Sequence, residues 1–360
     1  TMTGDRVADA YAALIPRLGF RTLISMLDDA CEKGIDAVPD APPELVTFIR
    51  AMEATPDWVD MAMVERGAQQ ERIPLATISA LPMTMTGTLS DEKSAKRVFE
   101  TASFFTATAM PGALQRFGSG FRAAAKVRLM HSMVRYNIMR SGKWDVATYG
   151  IPIPQVDQMP AGLIGIFLLS FKLLAKGRLT FTPAERERVE MARYRCFLLG
   201  LPQDLLGETP QEIVDLMMAR TLSLKEEFDD ETCGVLIRGT MDAQLFSDPS
   251  LRGRLHGWME RGFSKYFLIQ NFCEGKPARA EKLGVHYRLQ DKLATAVAIA
   301  VLIAGYFGIN AYAFGMRIPG LRSLVDRHLV NKLAALLDSY GHADFITDAR
   351  QYKMAPVEPS

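Results

Sequence analysis

Gly118-Ser119-Gly120-Phe121-Arg122-Ala123-Ala124-Ala125-Lys126-Val127-Arg128-Leu129-Met130-His131-Ser132-Met133-Val134-Arg135-Tyr136-Asn137-Ile138-Met139-Arg140-Ser141 is the stretch that decides the fold. The glycines punctuate its start. From about Phe121 to Ser141 no Pro or Gly interrupts, and the spacing predicts one helix. Val127, Met130, His131 and Val134 recur at intervals of three and four residues, so an imidazole sits on an apolar helical face.

The same period extends in both directions. Upstream, Val98, Ala102 and Phe105 recur at i, i+4 and i+7 within Ser94–Phe105, and Leu89-Ser90-Asp91-Glu92 supplies an N-cap and an acidic first turn. The Pro-rich patch 38–43 sets off an N-terminal helical piece, and Pro43-Glu44-Leu45 starts the next helix with Pro in its first turn. Another helix begins around Pro56-Asp57-Trp58-Val59-Asp60. Downstream, Trp144 to Pro160 is loop-rich. Thr182-Pro183-Ala184-Glu185 and Thr209-Pro210-Gln211-Glu212 each read as a capping box. Alternating β-branched runs bounded by turn residues do not occur. The fold class is all-α.

Composition narrows the function. The chain has 360 residues, with 42 Lys and Arg against 41 Asp and Glu, a formal charge of +1. That balance gives no footprint for nucleic acid. Cys31, Cys196, Cys233 and Cys273 are too scattered for a disulfide scaffold, and none forms a C-x-x-C pair, so a reducing, cytoplasmic setting is expected. Thr1–Arg6 carries no basic segment ahead of an apolar one, and no secretory leader is expected. Leu293 to Met316 runs 24 residues without a charge. A buried central helix is the favoured reading of that run, and membrane association is its alternative.

The motifs of the commoner enzymes are missing. No Glu stands three residues before any of His131, His256, His286, His328 and His342, as di-iron bundles require, and H-E-x-x-H, G-x-S-x-G, a P-loop and a dinucleotide fingerprint are absent. His131 stands apart, because a neutral imidazole on an apolar helical face suits an axial haem ligand. A core histidine bonded to a carbonyl is the simpler alternative. From Thr101 to Trp144 there are seven basic residues, Arg116, Arg122, Lys126, Arg128, Arg135, Arg140 and Lys143, and no acidic one. The stretch is either an anion site, with Arg128 and Arg135 each about a turn from His131, or a basic face paired with acidic residues elsewhere. Arg97, Glu100 and Thr101 project from one side of the preceding helix, where a surface ion pair would look the same.

Taken together these residues resemble a known family. Arg97-x-x-Glu100-Thr101, the His131 helix 30 residues beyond Thr101, Trp144-Asp145, Gly150-Ile151-Pro152-Ile153-Pro154-Gln155-x-Asp157, and Pro56-Asp57-Trp58-Val59-Asp60 ahead of Gly67 are similar in order and type to the rubber-oxygenase family. That family includes bacterial latex clearing protein and the membrane-bound fungal oxygenase of mycophenolic acid biosynthesis. The resemblance is densest from Trp58 to Gln155.

It implies a globin-like helical core with additional helices around a single haem b pocket, and His131 as the axial iron ligand. Arg97 and Thr101 match the family's haem-pocket Arg and Thr. Apart from the resemblance, an anion site here would let Arg128 and Arg135 bind haem propionates or a phosphate head group carried by a ligand on His131. The implied activity is O₂-dependent oxidation of a hydrophobic, isoprenoid or alkene substrate in a pocket of Phe104, Phe105, Met130 and Met133. Glu100 stands where latex clearing protein has Lys, so it is expected to act as an acid or base instead. Pro154 stands where Asn is expected.

The implied organisation is an N-terminal helical extension over 1–55, an oxygenase-like core over 56–290, C-terminal apolar and amphipathic helices over 291–350 packing on that core, and a loose tail over 351–360. A non-catalytic haem carrier or gas sensor is the alternative function. No electron donor is identified.

Overall fold

The computed structural model of the chain describes residues 2–77, 93–142, 144–222, 238, 250–273 and 275–340. Among them there are helices and no strands, as the periodicity predicts. The order is α1 (Arg6–Ala12), α2 (Ile15–Leu18), α3 (Phe20–Lys33), α4 (Pro43–Glu53), α5 (Met61–Thr77), α6 (Lys93–Thr108), α7 (Ser119–Arg140), α8 (Val146–Tyr149), α9 (Gln158–Leu174), α10 (Pro183–Leu198), α11 (Pro210–Leu222), α12 (Leu251–Phe272), α13 (Pro277–Lys282), α14 (Leu289–Gly315) and α15 (Arg322–Tyr340).

Local chemistry accounts for most boundaries. α7 begins two residues before the expected Phe121, because Gly118 takes the extended N-cap conformation with φ −70° and ψ 155°. Asp60 caps α5 by accepting from the Ala62 and Met63 N–H groups at 2.8 and 3.2 Å. The Thr182 box is formed: Glu185 N–H donates to Thr182 Oγ1 at 3.3 Å and Thr182 N–H donates to Glu185 Oε2 at 2.8 Å. Thr209 and Glu212 repeat it. Pro160, expected in a loop, lies instead in the first turn of α9, where a missing N–H leaves no helical bond unmade. The expected cap at Ser90 and the tail at 351–360 lie outside the described residues, as does Cys233.

The described residues divide into two compact units that interleave along the sequence rather than following one another. One draws on Thr1–Glu71 and Ala107–Leu224, the other on Arg72–Thr106 and Lys225–Ala343. In the first, α9, α10 and α11 bury Met159, Leu163, Ile166, Val189, Cys196 and Ile213 in one cluster. Each such side chain withdrawn from water contributes about 1.5–3 kcal/mol. Gly162 faces Cys196 so closely that a Cβ there would overlap Sγ. Gly67 meets the Glu187 carbonyl and Met191 in the same manner, which is why α5 tolerates no side chain at that position.

In the second unit, α12 lies along α14. Gly262 lets the Asp291 backbone and Ala294 approach, and Met259 and Ala298 form a cluster with Trp258, Phe263 and Leu302. Arg72, 1% exposed, donates to Asp326 at 2.8 and 3.1 Å, fixing α15. The apolar run corrects an expectation. The sequence favours a buried helix, yet only 17% of its most apolar window is buried. Among the described residues its buried positions, Asp291, Ala294, Thr295 and Ala298, fall in its first half.

Glu260 on α12 is 3% exposed, and its Oε2 has no hydrogen-bond partner among the described residues. Burial alone pushes its carboxyl up to about 8. The folded state therefore holds a proton that the unfolded chain releases above the ordinary carboxylate range. Stability contributed by this group is complete below about pH 4.5 and is lost as pH rises toward 8. Glu260→Gln is expected to remove that slope, with a gain over the parent of up to about 4 kcal/mol at pH 8 that vanishes near pH 4.5. Parallel denaturant titrations across that range check it, and identical slopes would show Glu260 to be ionised in the fold.

Candidate functional site

α7 carries His131 at its centre. The imidazole is half-buried, with half-buried Val127 and Met130 and buried Val134 on the same face. The Gln158 side-chain amide, in the first turn of α9, lies 3.0 Å from His131 Nδ1. Gln158 is itself 5% exposed, so the contact fixes the ring from one side. Met133 belongs to the buried interior.

The basic stretch around His131 finds its counter-charges within the chain. Asp5, which caps α1 by accepting from Ala8 N–H at 3.1 Å, also receives Arg128 through Nε and, at 3.0 Å, through a terminal nitrogen. Arg135 pairs with Asp9 and donates to the Pro152 and Ile153 carbonyls at 3.1 and 2.5 Å. Arg116 pairs with Glu53, Arg122 with Glu32 at 3.5 Å, and Lys126 with Asp28 at 2.8 Å. Arg140 donates to Tyr136 Oη at 2.6 Å, and Lys143 lies outside the described residues.

Five of the seven cations thus pair with carboxylates from residues 5–53. Of the two expectations for this stretch, pairing with acidic residues elsewhere is what the geometry displays. Arg128 and Arg135 have protein partners and need no external anion. Burial raises the Asp9 carboxyl, and the Arg135 charge opposes this only in part.

The loop 150–157 closes this clasp. Ile153 adopts φ 47°, a strained conformation for a β-branched residue, and its carbonyl thereby faces Arg135. Gln155 N–H donates to the Thr3 carbonyl at 2.9 Å, and Gln155 Nε2 donates to the Gly200 carbonyl at 2.8 Å. Gly200, at φ 86°, lies where a Cβ would meet Arg128 Nε, Asp5 Oδ2 and Gln155 Nε2, each 2.6 Å away. Only glycine lets the chain pass there. Trp144 Nε1 donates to the Gly150 carbonyl at 2.7 Å, and the Arg193 guanidinium stacks 4.2 Å over Trp58. The motif residues of this region brace α7.

Arg97, Glu100 and Thr101 share α6 in the second unit, whereas His131, Arg128 and Arg135 share α7 in the first. Glu100 and Thr101 are half-buried, and the Arg97 side chain lies outside the described residues. Ala102 is buried as expected. Phe104 is buried more deeply than Phe105, the two rings meeting edge to face at 5.6 Å. Among the described residues no group of three His, Cys, Asp or Glu side chains converges on one point. Gln158, Asp5 and Asp9 are the residues that sequence reasoning missed.

The fold is all-α, and its class comes from comparison. Comparison with family models makes it specific: residues 71–304 match the family described as ER-bound oxygenase mpaB/B'/rubber oxygenase, catalytic domain, and the chain belongs to that oxygenase family. A solved structure, described as latex clearing protein LCP in the closed state, is similar with a TM-score of 0.55 over 92% of this chain and 90% of that one. At 18% identity the likeness is one of fold. Comparison with curated proteins gives no match.

Proposed function

We propose that the chain is a haem b-dependent oxygenase acting with O₂ on a hydrophobic, isoprenoid-like alkene. The observation that carries the reading is the His131–Gln158 contact at 3.0 Å. An axial imidazole would need one nitrogen for iron and the other held by a neighbour; Gln158 Nε2 faces Nδ1, and the reading requires the amide turned end for end so that its oxygen accepts from an Nδ1–H. The donor set therefore fits a single-histidine haem iron, and it does not fit an ion held by protein ligands alone. Bound haem would supply the redox chemistry and O₂ activation.

The chain's own residues orient and exclude. His131 presents Nε2, Gln158 sets the plane of its ring, and the pairs Asp5–Arg128 and Asp9–Arg135 hold the turns on either side. Val127 and Met130 give the ring an apolar surround that favours a lipophilic substrate over water. By resemblance to the family, Arg97 and Thr101 would belong to the haem pocket, with Arg97 a hydrogen-bond donor there, and Glu100 would move a proton.

The test is the absorption spectrum of the untreated pure protein, followed by product analysis with squalene-like alkenes under O₂. A Soret band with oxidised product is the expected result. A Soret band with no product across lipophilic alkenes would instead assign a haem carrier or gas sensor, and no Soret band after haem addition would end the cofactor reading.

A further inference from the structure

Asp157 ends the motif Gly150–Asp157 and stands immediately before Gln158, the residue that touches His131. A carboxylate at a helix start ordinarily caps it. Asp5 does so for α1, Asp60 for α5, and Asp145 for α8, where it accepts from the Ala147 and Thr148 N–H groups at 3.0 and 3.2 Å. Asp157 makes no such bond to α9. Its backbone is helical, at φ −72° and ψ −13°, and continues the short 3-10 turn Gln155–Asp157 into α9. Its carboxylate instead accepts from Arg220 of α11 at 2.9 Å.

That turn is pinned at three points, all within one compact unit. Gln155 N–H donates to the Thr3 carbonyl, Gln155 Nε2 donates to the Gly200 carbonyl, and Asp157 holds Arg220. Gln158 N–H donates back to the Gln155 carbonyl, so the Gln158 backbone follows the turn. Its side chain is buried in close-packed surroundings and has little room to absorb a shift. α11, which carries Arg220, shares a buried cluster with α9 through Ile213 and Met217 against Leu163 and Ile166. The Arg220 side chain is 18% exposed and that of Asp157 41%. A pair this open to water adds little to stability, so its effect is on geometry.

We infer that Asp157 and Arg220 are positioning residues for His131: the pair sets the first turn of α9, and through it the angle at which the Gln158 amide meets the imidazole. The inference rests on the reading of His131 as the axial ligand. It ties the histidine to the C-terminal end of α11, so that a displacement of that helix end reaches the ring without passing along α7.

Arg220→Met keeps a long side chain and removes its charge. The ring carbon and nitrogen shifts of His131 in the haem-free chain, assigned by their loss in His131→Ala, are expected to move in the same direction as in Gln158→Leu, with an unchanged melting curve. In the haem-loaded chain the variant is expected to weaken haem binding about three- to tenfold, part of the loss expected for Gln158→Leu. Arg220→Lys keeps the charge and is expected to restore most of that difference. The double variant Gln158→Leu/Arg220→Met is expected to bind haem no more weakly than Gln158→Leu, because the pair acts through that amide. A pair that only stabilised the fold would lower the melting point and add its own loss to that of Gln158→Leu, and either result would overturn the assignment. So would ring shifts that stay at the parent's values. A parent chain that takes up no haem ends the axial-ligand reading, and the ring shifts of the haem-free chain then decide by themselves whether Arg220 positions His131.

Discussion

On the proposed haem reading, His131→Ala is expected to leave the chain folded and to show no Soret band, both as purified and after haem addition. The imidazole is half-buried rather than a core anchor, so its truncation removes few contacts. The helix around it is held by Arg128 and Arg135, neither of which depends on the ring. Loss of the one nitrogen donor on this face would leave iron with no protein ligand on α7. Gln158→Leu supplies the graded control. It removes the partner at Nδ1 and keeps Nε2, so haem affinity is expected to fall about 10- to 100-fold with a shifted band rather than a lost one. An unchanged spectrum in His131→Ala would mean that haem, if bound, is held elsewhere.

Asp5→Ala carries the largest expected loss of stability. Arg128 is about 8% exposed at its side chain and Asp5 about 4%, so the pair is withdrawn from water. Removing the carboxylate strands a guanidinium whose remaining neighbour of note is the Phe48 ring, 5.2 Å away. Stranding one member of a buried pair costs about 3–5 kcal/mol, and the cap of α1 is lost with it, a further ~1 kcal/mol. For a chain of this size the midpoint of thermal unfolding is expected to drop by roughly 10 °C. The double variant Asp5→Ala/Arg128→Met is expected to recover much of that loss, since no unpaired charge then remains buried. A single variant that melts like the parent would show that water reaches Arg128 and that the clasp is a surface contact.

Much of the fold was legible in the sequence, because helices advertise themselves locally. The 3.6-residue period over 121–141, Pro43 in a first turn and the Thr182 and Thr209 boxes are each set by residues within a turn of one another. What was not legible depends on residues far apart. Asp5 and Arg128 are 123 positions apart, and no local pattern joins them. A faint signal existed: residues 1–55 hold nine acidic and five basic residues, a surplus opposite to that of 101–144. Such a surplus indicates attraction but names no partner.

Gln158 is a polar residue at the mouth of an apolar helix, where the chain alone offers no reason to link it to His131. The Leu293–Met316 run differs from its sequence expectation for a related cause. Apolar content reports what avoids water, and it cannot distinguish cover by protein from cover by lipid.

The clasp also has a consequence for how the molecule comes into being. Asp5 and Asp9 emerge from the ribosome long before Arg128 and Arg135, their partners 123 and 126 positions later. Until α7 is made, Asp5 and Asp9 lack the guanidiniums they pair with, and closing so long a loop is slow. The segment made early therefore finishes late. Its docking waits on the histidine helix, so completion of that helix and closure of the N-terminal layer over it belong to one event in folding.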